Sequence, residues 1–205
     1  MIHSKDQNYP PLGAPELQEY LKEIKGSKEE EEDSFKVEWE HLRRLKDGQR
    51  LNFTPTIQPY CVATHCYYVG LLFVHFAREE DIVVLPEETV WVFKHDLLET
   101  VTGDVLYPAK NFNPVVKDYW DRIEKELVED KYHYLKWFTD NQARFRTTKE
   151  VWNLFKAVDL LELYEFCKEE IKLGNNSSII HNIINLCHTT IFNFGFESIR
   201  KWIFV

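Results

Sequence analysis

Lys94-His95-Asp96-Leu97-Leu98-Glu99-Thr100-Val101-Thr102-Gly103-Asp104 is the stretch whose reading decides the fold. Apolar Val90, Trp91, Val92, Phe93, Leu97 and Leu98 mark a buried helix, predicted to start at Pro86-Glu87-Glu88 and to stop before Gly103. His95 and Asp96 lie inside that apolar frame, Glu99 follows one turn on, and Asp104 stands just past the glycine. Acids and an imidazole packed so closely would repel and lose solvation unless a cation or a substrate offset the cost. The stretch therefore reads as a functional site, and the rest of the chain can be searched for its partners.

The chain of 205 residues is long enough for one domain with a sizeable core. With 15% aromatic residues and only 7 Gly and 8 Pro, it suits a packed, mostly helical protein. A net charge of −9 argues against a partner such as a nucleic-acid polymer, which needs a basic surface, but leaves room for a small anion opposite a local Arg/Lys cluster. Cys61, Cys66, Cys167 and Cys187 show no C-x-x-C spacing and lie among apolar residues, so they read as reduced core thiols. No leader-like apolar segment follows Met1 and no run of 18 apolar residues occurs, which points to a cytoplasmic protein without a membrane partner.

Working outward, residues 1–34 read as an N-terminal arm, irregular over its prolines, with a short amphipathic helix from Glu16 to Lys25 and an acidic run from Lys28 to Asp33. Residues 35–205 read as the main domain, all-α and without a convincing strand. Helices are expected from Phe35 to Leu45, from Tyr60 to Arg78, from Pro114 to about Asp130 and from Tyr132 to Arg146. The strongest amphipathic pattern runs from Thr148 to Gly174-Asn175, a further helix spans Ile179 to Phe192, and the apolar tail Phe196–Val205 is expected to dock on the core.

Four residues on three of these helices could converge: His65, the His95-Asp96 pair and Asp159. Taken alone, His65 on an apolar face reads more readily as a buried core histidine, and Asp159 could be answered by a salt bridge to Lys156 or Arg144. Together they outweigh those readings. A mixed His and carboxylate set suits a divalent transition metal rather than a structural thiolate zinc, and packed helices are a usual scaffold for such a centre.

In order and spacing, His65, His95-Asp96 and Asp159 match the H…HD…D signature and resemble the HD-domain metal-dependent phosphohydrolases. The longer phrase from His95 to Lys110, His-Asp-x-x-Glu-x-x-Thr-Gly-Asp-x-x-x-Pro-x-Lys, is similar to that of the YfbR-like 5'-deoxynucleotidases and the related small phage dATP triphosphohydrolases. The likeness covers roughly Leu42 to Asn175. It implies an HD-domain helical bundle in which His65, His95, Asp96 and Asp159 bind one metal (Co, Mn or Zn, with Fe or Mg as further options). It also implies that Glu99 handles the attacking water, Asp104 contacts the sugar, and Arg50 and Lys110 contact phosphate. Two departures stand out: Thr64-His65-Cys66 replaces Glu-His-Ser, and Leu51 stands where the nucleotidases place a tryptophan beside the 2' position. Base choice and discrimination against ribonucleotides stay open at this stage.

The activity so implied is metal-dependent hydrolysis of a deoxynucleotide phosphate ester, with a dNMP favoured as substrate. A dNTP triphosphohydrolase is the alternative, and a nucleotide-sensing scaffold without catalysis is the reading from a different class. A homodimer or higher homo-oligomer is also expected from the family.

Overall fold

Periodic apolar residues become helices close to where the spacing predicts them. The computed structural model describes residues 36, 38–103, 113–132 and 135–204. The expected arm helix and the site candidates Asp104 and Lys110 lie outside the described residues. The chain divides into two units, Met1–Trp39 and Glu40–Val205, and everything below concerns the second. After a helical stretch over 38–44 come α1 (Val62–Glu79), α2 (Pro86–Val92), α3 (Glu99–Thr102), α4 (Pro114–Asp130), α5 (Lys136–Thr147), α6 (Lys149–Lys172), α7 (Ser178–Phe194) and α8 (Glu197–Ile203). The described residues hold no strand, only an isolated antiparallel bridge from Gln49 to Cys61, so the all-α expectation stands.

Helix α6 is the axis, packed against α1 on one side and α7 on another. Its apolar residues Val151, Leu154, Phe155, Val158 and Leu161 are buried, as are Val69, Phe73 and Phe76 of α1. The tail docks as expected: α8 inserts Ile199 and Ile203 into the core and packs on α1. Trp91 of α2 is the hub of an aromatic cluster. It stacks on Phe138 at 5.3 Å, meets Phe145 and Phe155 edge-on, and donates its indole N–H to the Phe138 carbonyl at 3.2 Å. A buried indole without that acceptor would carry a desolvation cost of about 1–3 kcal/mol.

One expectation fails in an informative way. The helix predicted to run through His95 and Asp96 stops at Val92, and residues 93–98 form successive tight turns before α3. Backbone bonds here span three residues, as in Lys94 N–H to Trp91 O and Leu97 N–H to Lys94 O. The Val92 carbonyl, which a continuous α-helix would give to the Asp96 N–H, accepts from the backbone N–H of His95 at 3.3 Å and from its ring Nδ1 at 2.8 Å. On these turns the adjacent His95 and Asp96 bring Nε2 and Oδ2 within 3.3 Å of each other.

Gly70 makes this arrangement possible. A Cβ built there would fall 2.3 Å from the Phe93 ring, so the bare backbone of α1 is what lets Phe93 lie against it at the start of the turns. Gly70→Ala would gain about 1 kcal/mol of helix propensity. Overpacking of this kind costs about 1–3 kcal/mol, and here it falls on the half-buried Phe93 ring. The expected outcome is a lower melting temperature, read by calorimetry; an unchanged or raised value would contradict the close packing of Phe93 on α1.

Candidate functional site

Three elements deliver the four sequence-predicted ligands to one point. His65 comes from the first turn of α1, His95 and Asp96 from the turns after α2, and Asp159 from the middle of α6. The Nε2 atoms of His65 and His95 are 3.2 Å apart. Asp159 Oδ1 lies 3.1 Å from His65 Nε2 and 3.9 Å from His95 Nε2, while Asp96 Oδ2 lies 3.7 and 3.3 Å from the same two nitrogens. Both imidazoles are buried; Asp96 and Asp159 keep side-chain exposures of 19% and 17%, so the cluster opens to solvent on the carboxylate side.

The ring partners fix which nitrogens face inward. His95 Nδ1 meets a carbonyl, which can only accept, so Nδ1 carries the proton. His65 Nδ1 donates to the Glu162 carboxylate at 2.5 Å, and Glu162 also accepts from the Tyr60 hydroxyl. Each ring then turns its Nε2 toward the other. Two unprotonated nitrogens at 3.2 Å cannot bond to each other, and a proton or a metal cation between them removes the conflict. Donor atoms about 2.0–2.2 Å from a cation stand roughly 3.0–3.6 Å apart, close to the spacings found. The residues therefore fit a divalent cation.

Charge supports the same reading. Burial alone would raise Asp96, but His95, Arg50 and His65 hold it well below the ordinary carboxylate range. Asp159 is likewise raised by burial and more strongly lowered by Lys156, His65 and His95. The Lys156 salt bridge anticipated as an alternative explanation of Asp159 does exist, at 2.6 Å, yet it uses Oδ2 and leaves Oδ1 facing the histidines. Burial opposes a charged His95, whereas Asp96 and Cys66 lift its pKa above the usual value.

Arg50, the predicted phosphate contact, reaches the centre. Its N–H groups donate to Asp96 Oδ2 at 2.7 Å, its guanidinium lies over the Tyr60 ring, and its field is shared with Asp159 and Glu99. The 48–50 segment is pinned beside the start of α1 by Arg50 N–H to Tyr60 O at 2.7 Å and Val62 N–H to Gly48 O at 2.9 Å. Leu51 takes a positive φ of 54° and packs with Tyr60 and Phe166. Glu99 opens α3 and borders a cavity of about 260 Å³ shared with Arg44, Asp47 and Thr100.

Sequence reading missed two supporting carboxylates. Glu162 lies one helical turn beyond Asp159, and that spacing within a buried face was the available signal. Glu170 accepts from the Ile57 and Gln58 N–H groups at 2.6 and 2.8 Å and from Asn175, clamping the loop that leads into Tyr60 onto α6. Nothing in the spacing announced that second role.

A family model described as 5'-deoxynucleotidase YfbR-like matches residues 39–199, a span that includes every element of this cluster. The chain belongs to the YfbR-like 5'-deoxynucleotidase family. Curated relatives include a 5'-deoxynucleotidase of Vibrio atlanticus, 26% identical over 146 residues, covering 66% of this chain and 75% of the relative. Another, from Klebsiella pneumoniae, is 25% identical over 152 residues, covering 68% and 75%. Among solved structures, the cyanophage S-2L HD phosphohydrolase bound to dA and one catalytic Zn2+ superposes with a TM-score of 0.58 at 20% identity, covering 74% of this chain and 80% of its own. An HD-domain phosphohydrolase from Listeria innocua gives 0.63 at 18% identity, covering 80% and 83%. These likenesses show that the fold is the HD-domain one. As a YfbR-like protein the chain is a phosphohydrolase acting on deoxynucleotides, and the non-catalytic sensing alternative is set aside. No helix among the described residues is long and apolar enough to cross a membrane.

The donor geometry predicts that the purified protein retains a divalent cation and that Asp159→Ala and Asp96→Ala lose it, measured by elemental analysis after gel filtration. Full occupancy in Asp96→Ala would contradict the ligand assignment. Metal affinity is also expected to rise with pH: His95 must be neutral to offer Nε2, its raised pKa makes the proton a stronger competitor, and so affinity falls as pH drops through that value. Equal affinities at about pH 5 and pH 8 would contradict this.

Proposed function

We propose that this chain is a metal-dependent 5'-deoxynucleotidase that converts a dNMP into a deoxynucleoside and phosphate. The observation that carries the proposal is the convergence of His65, His95, Asp96 and Asp159 on one point, with Arg50 bonded to Asp96 and Glu99 within the field of Arg50.

A divalent cation bound there supplies positive charge to a phosphoryl oxygen and makes water more acidic. Arg50 offers the phosphate a planar fork of donors from a position already held by Asp96. Glu99 accepts the proton of the attacking water as the new P–O bond forms and the bond from phosphorus to the nucleoside oxygen breaks, and the departing oxygen takes up a proton from Glu99 or solvent to leave as the alcohol. Glu162 and Tyr60 hold His65 in the tautomer that presents Nε2. The cavity of about 260 Å³ that Glu99 borders is just under the roughly 300–1,000 Å³ of common small-ligand sites. Asp104 and Lys110 complete the reading by resemblance alone, as sugar and phosphate contacts.

A monophosphate is favoured because the described cations at the centre, Arg50 and Lys156, are each already paired with Asp96 or Asp159. A triphosphate brings more negative charge than such a pair can answer.

A panel of dNMPs, NMPs and dNTPs, assayed with Mn, Co or Zn, tests the proposal. Inorganic phosphate is expected from the dNMPs, and Glu99→Ala is expected to lower kcat by about 10²–10⁴ with metal content unchanged. Absence of metal-dependent turnover on any substrate would overturn the proposal, and release of triphosphate from dNTPs would replace its substrate.

A further inference from the structure

Cys66 follows His65 on α1 and is buried, but its surroundings are not those of an ordinary core thiol. Two groups of potential donors overlap at this centre: His65, His95 and Asp159 form one, and Cys66, His95 and Asp96 form the other, with the donor atoms of each group within 4.8 Å of one another. His95 belongs to both. Because its Nδ1 is committed to the Val92 carbonyl, the nitrogen it offers to both groups is Nε2. The thiol therefore lies close to His95 and Asp96, two of the residues that would hold the proposed cation.

We infer that the Cys66 sulfur is an additional ligand of this metal centre, one that selects for a thiophilic cation such as Zn2+ or Co2+ over Mg2+. The inference rests on the metal-centre reading above and deepens it. Around a cation with a sulfur bond of about 2.3 Å and a nitrogen bond of about 2.0–2.1 Å, the sulfur and nitrogen lie roughly 3.1 Å apart at a right angle and about 4.4 Å apart in trans. Cys66 is within 4.8 Å of the His95 and Asp96 donors, close to that spacing, while His65 and Asp159 belong with His95 to the other group. Thiolate favours zinc-like ions, whereas a hydroxyl at this position would favour none of them. As the sulfur–metal bond forms, the S–H proton passes to solvent, because the thiolate is the ligand form.

Co2+ added to the metal-free full-length chain tests this, read by absorption spectroscopy together with the stoichiometry of bound cobalt. The expected result is visible ligand-field bands plus a near-ultraviolet sulfur-to-cobalt charge-transfer band. That band should be lost in Cys66→Ser and Cys66→Ala while cobalt stays bound, and retained in Cys167→Ser and Cys187→Ser, whose thiols burial pushes up to about 12 within the core. Bound cobalt with ligand-field bands but no charge-transfer band in the unaltered chain overturns the sulfur ligand and leaves the His and Asp centre standing. Failure of the unaltered chain to bind cobalt at all overturns the metal centre, and the sulfur ligand with it. The spectrum of the unaltered chain decides between these outcomes even if a Cys66 variant fails to fold.

Discussion

Two imidazole nitrogens, His65 Nε2 and His95 Nε2, face each other at 3.2 Å with their opposite ring nitrogens already bonded. With neither a proton nor a cation between them, that contact sets lone pair against lone pair in a buried place, and burying a polar group without a partner costs a few kcal/mol. Much of the surrounding structure can be understood as holding this unfavourable contact in place. Asp96 and Asp159 flank it from opposite elements, and their carboxylates add the negative charge that a cation would neutralise. A contact of this kind favours binding of a positive species, and a metal cation competes with a proton for it.

The supports are layered. Glu162 and Tyr60 orient His65, and Tyr60 in turn stacks on Phe166 at 3.9 Å. Glu170 and Asn175 tie the loop before Tyr60 to the end of α6. On the other side, Phe93 against Gly70 and the Trp91 cluster hold the turns that carry His95 and Asp96. His95 itself packs edge-on against Phe155 at 5.1 Å, so the α6 core and the metal centre share a wall. In this arrangement α6 contributes Asp159, Glu162 about one turn on, and Glu170 about two turns further, each to a different task.

Much of this was legible in the amino-acid order. The 3.6-residue apolar period places α1, α4, α6 and α7 within a few residues of their observed ends, and the pattern of His65, His95-Asp96 and Asp159 picks out the residues that meet. The break at Val92 was not legible, because the apolar run from Val90 to Leu98 suits a helix, and the competing acceptor is a backbone carbonyl seen only in three dimensions. Cys66 is the free, buried core thiol that its apolar sequence neighbours suggest, but the nearness of His95 and Asp96 was not legible, because it arises only in three dimensions. Glu162 and Glu170 looked like the polar face of an amphipathic helix, although both are buried. Carboxylates that act through another residue leave little trace in a periodicity.

The central claim is that a single divalent cation is held between His65 and His95. Anomalous diffraction from crystals grown with Zn2+ or Mn2+ tests it most directly. The account predicts one strong peak about 2.0–2.2 Å from both Nε2 atoms and from carboxylate oxygens of Asp96 and Asp159. A peak bound elsewhere, or no peak between the two histidines in protein that is active with that metal, would contradict it.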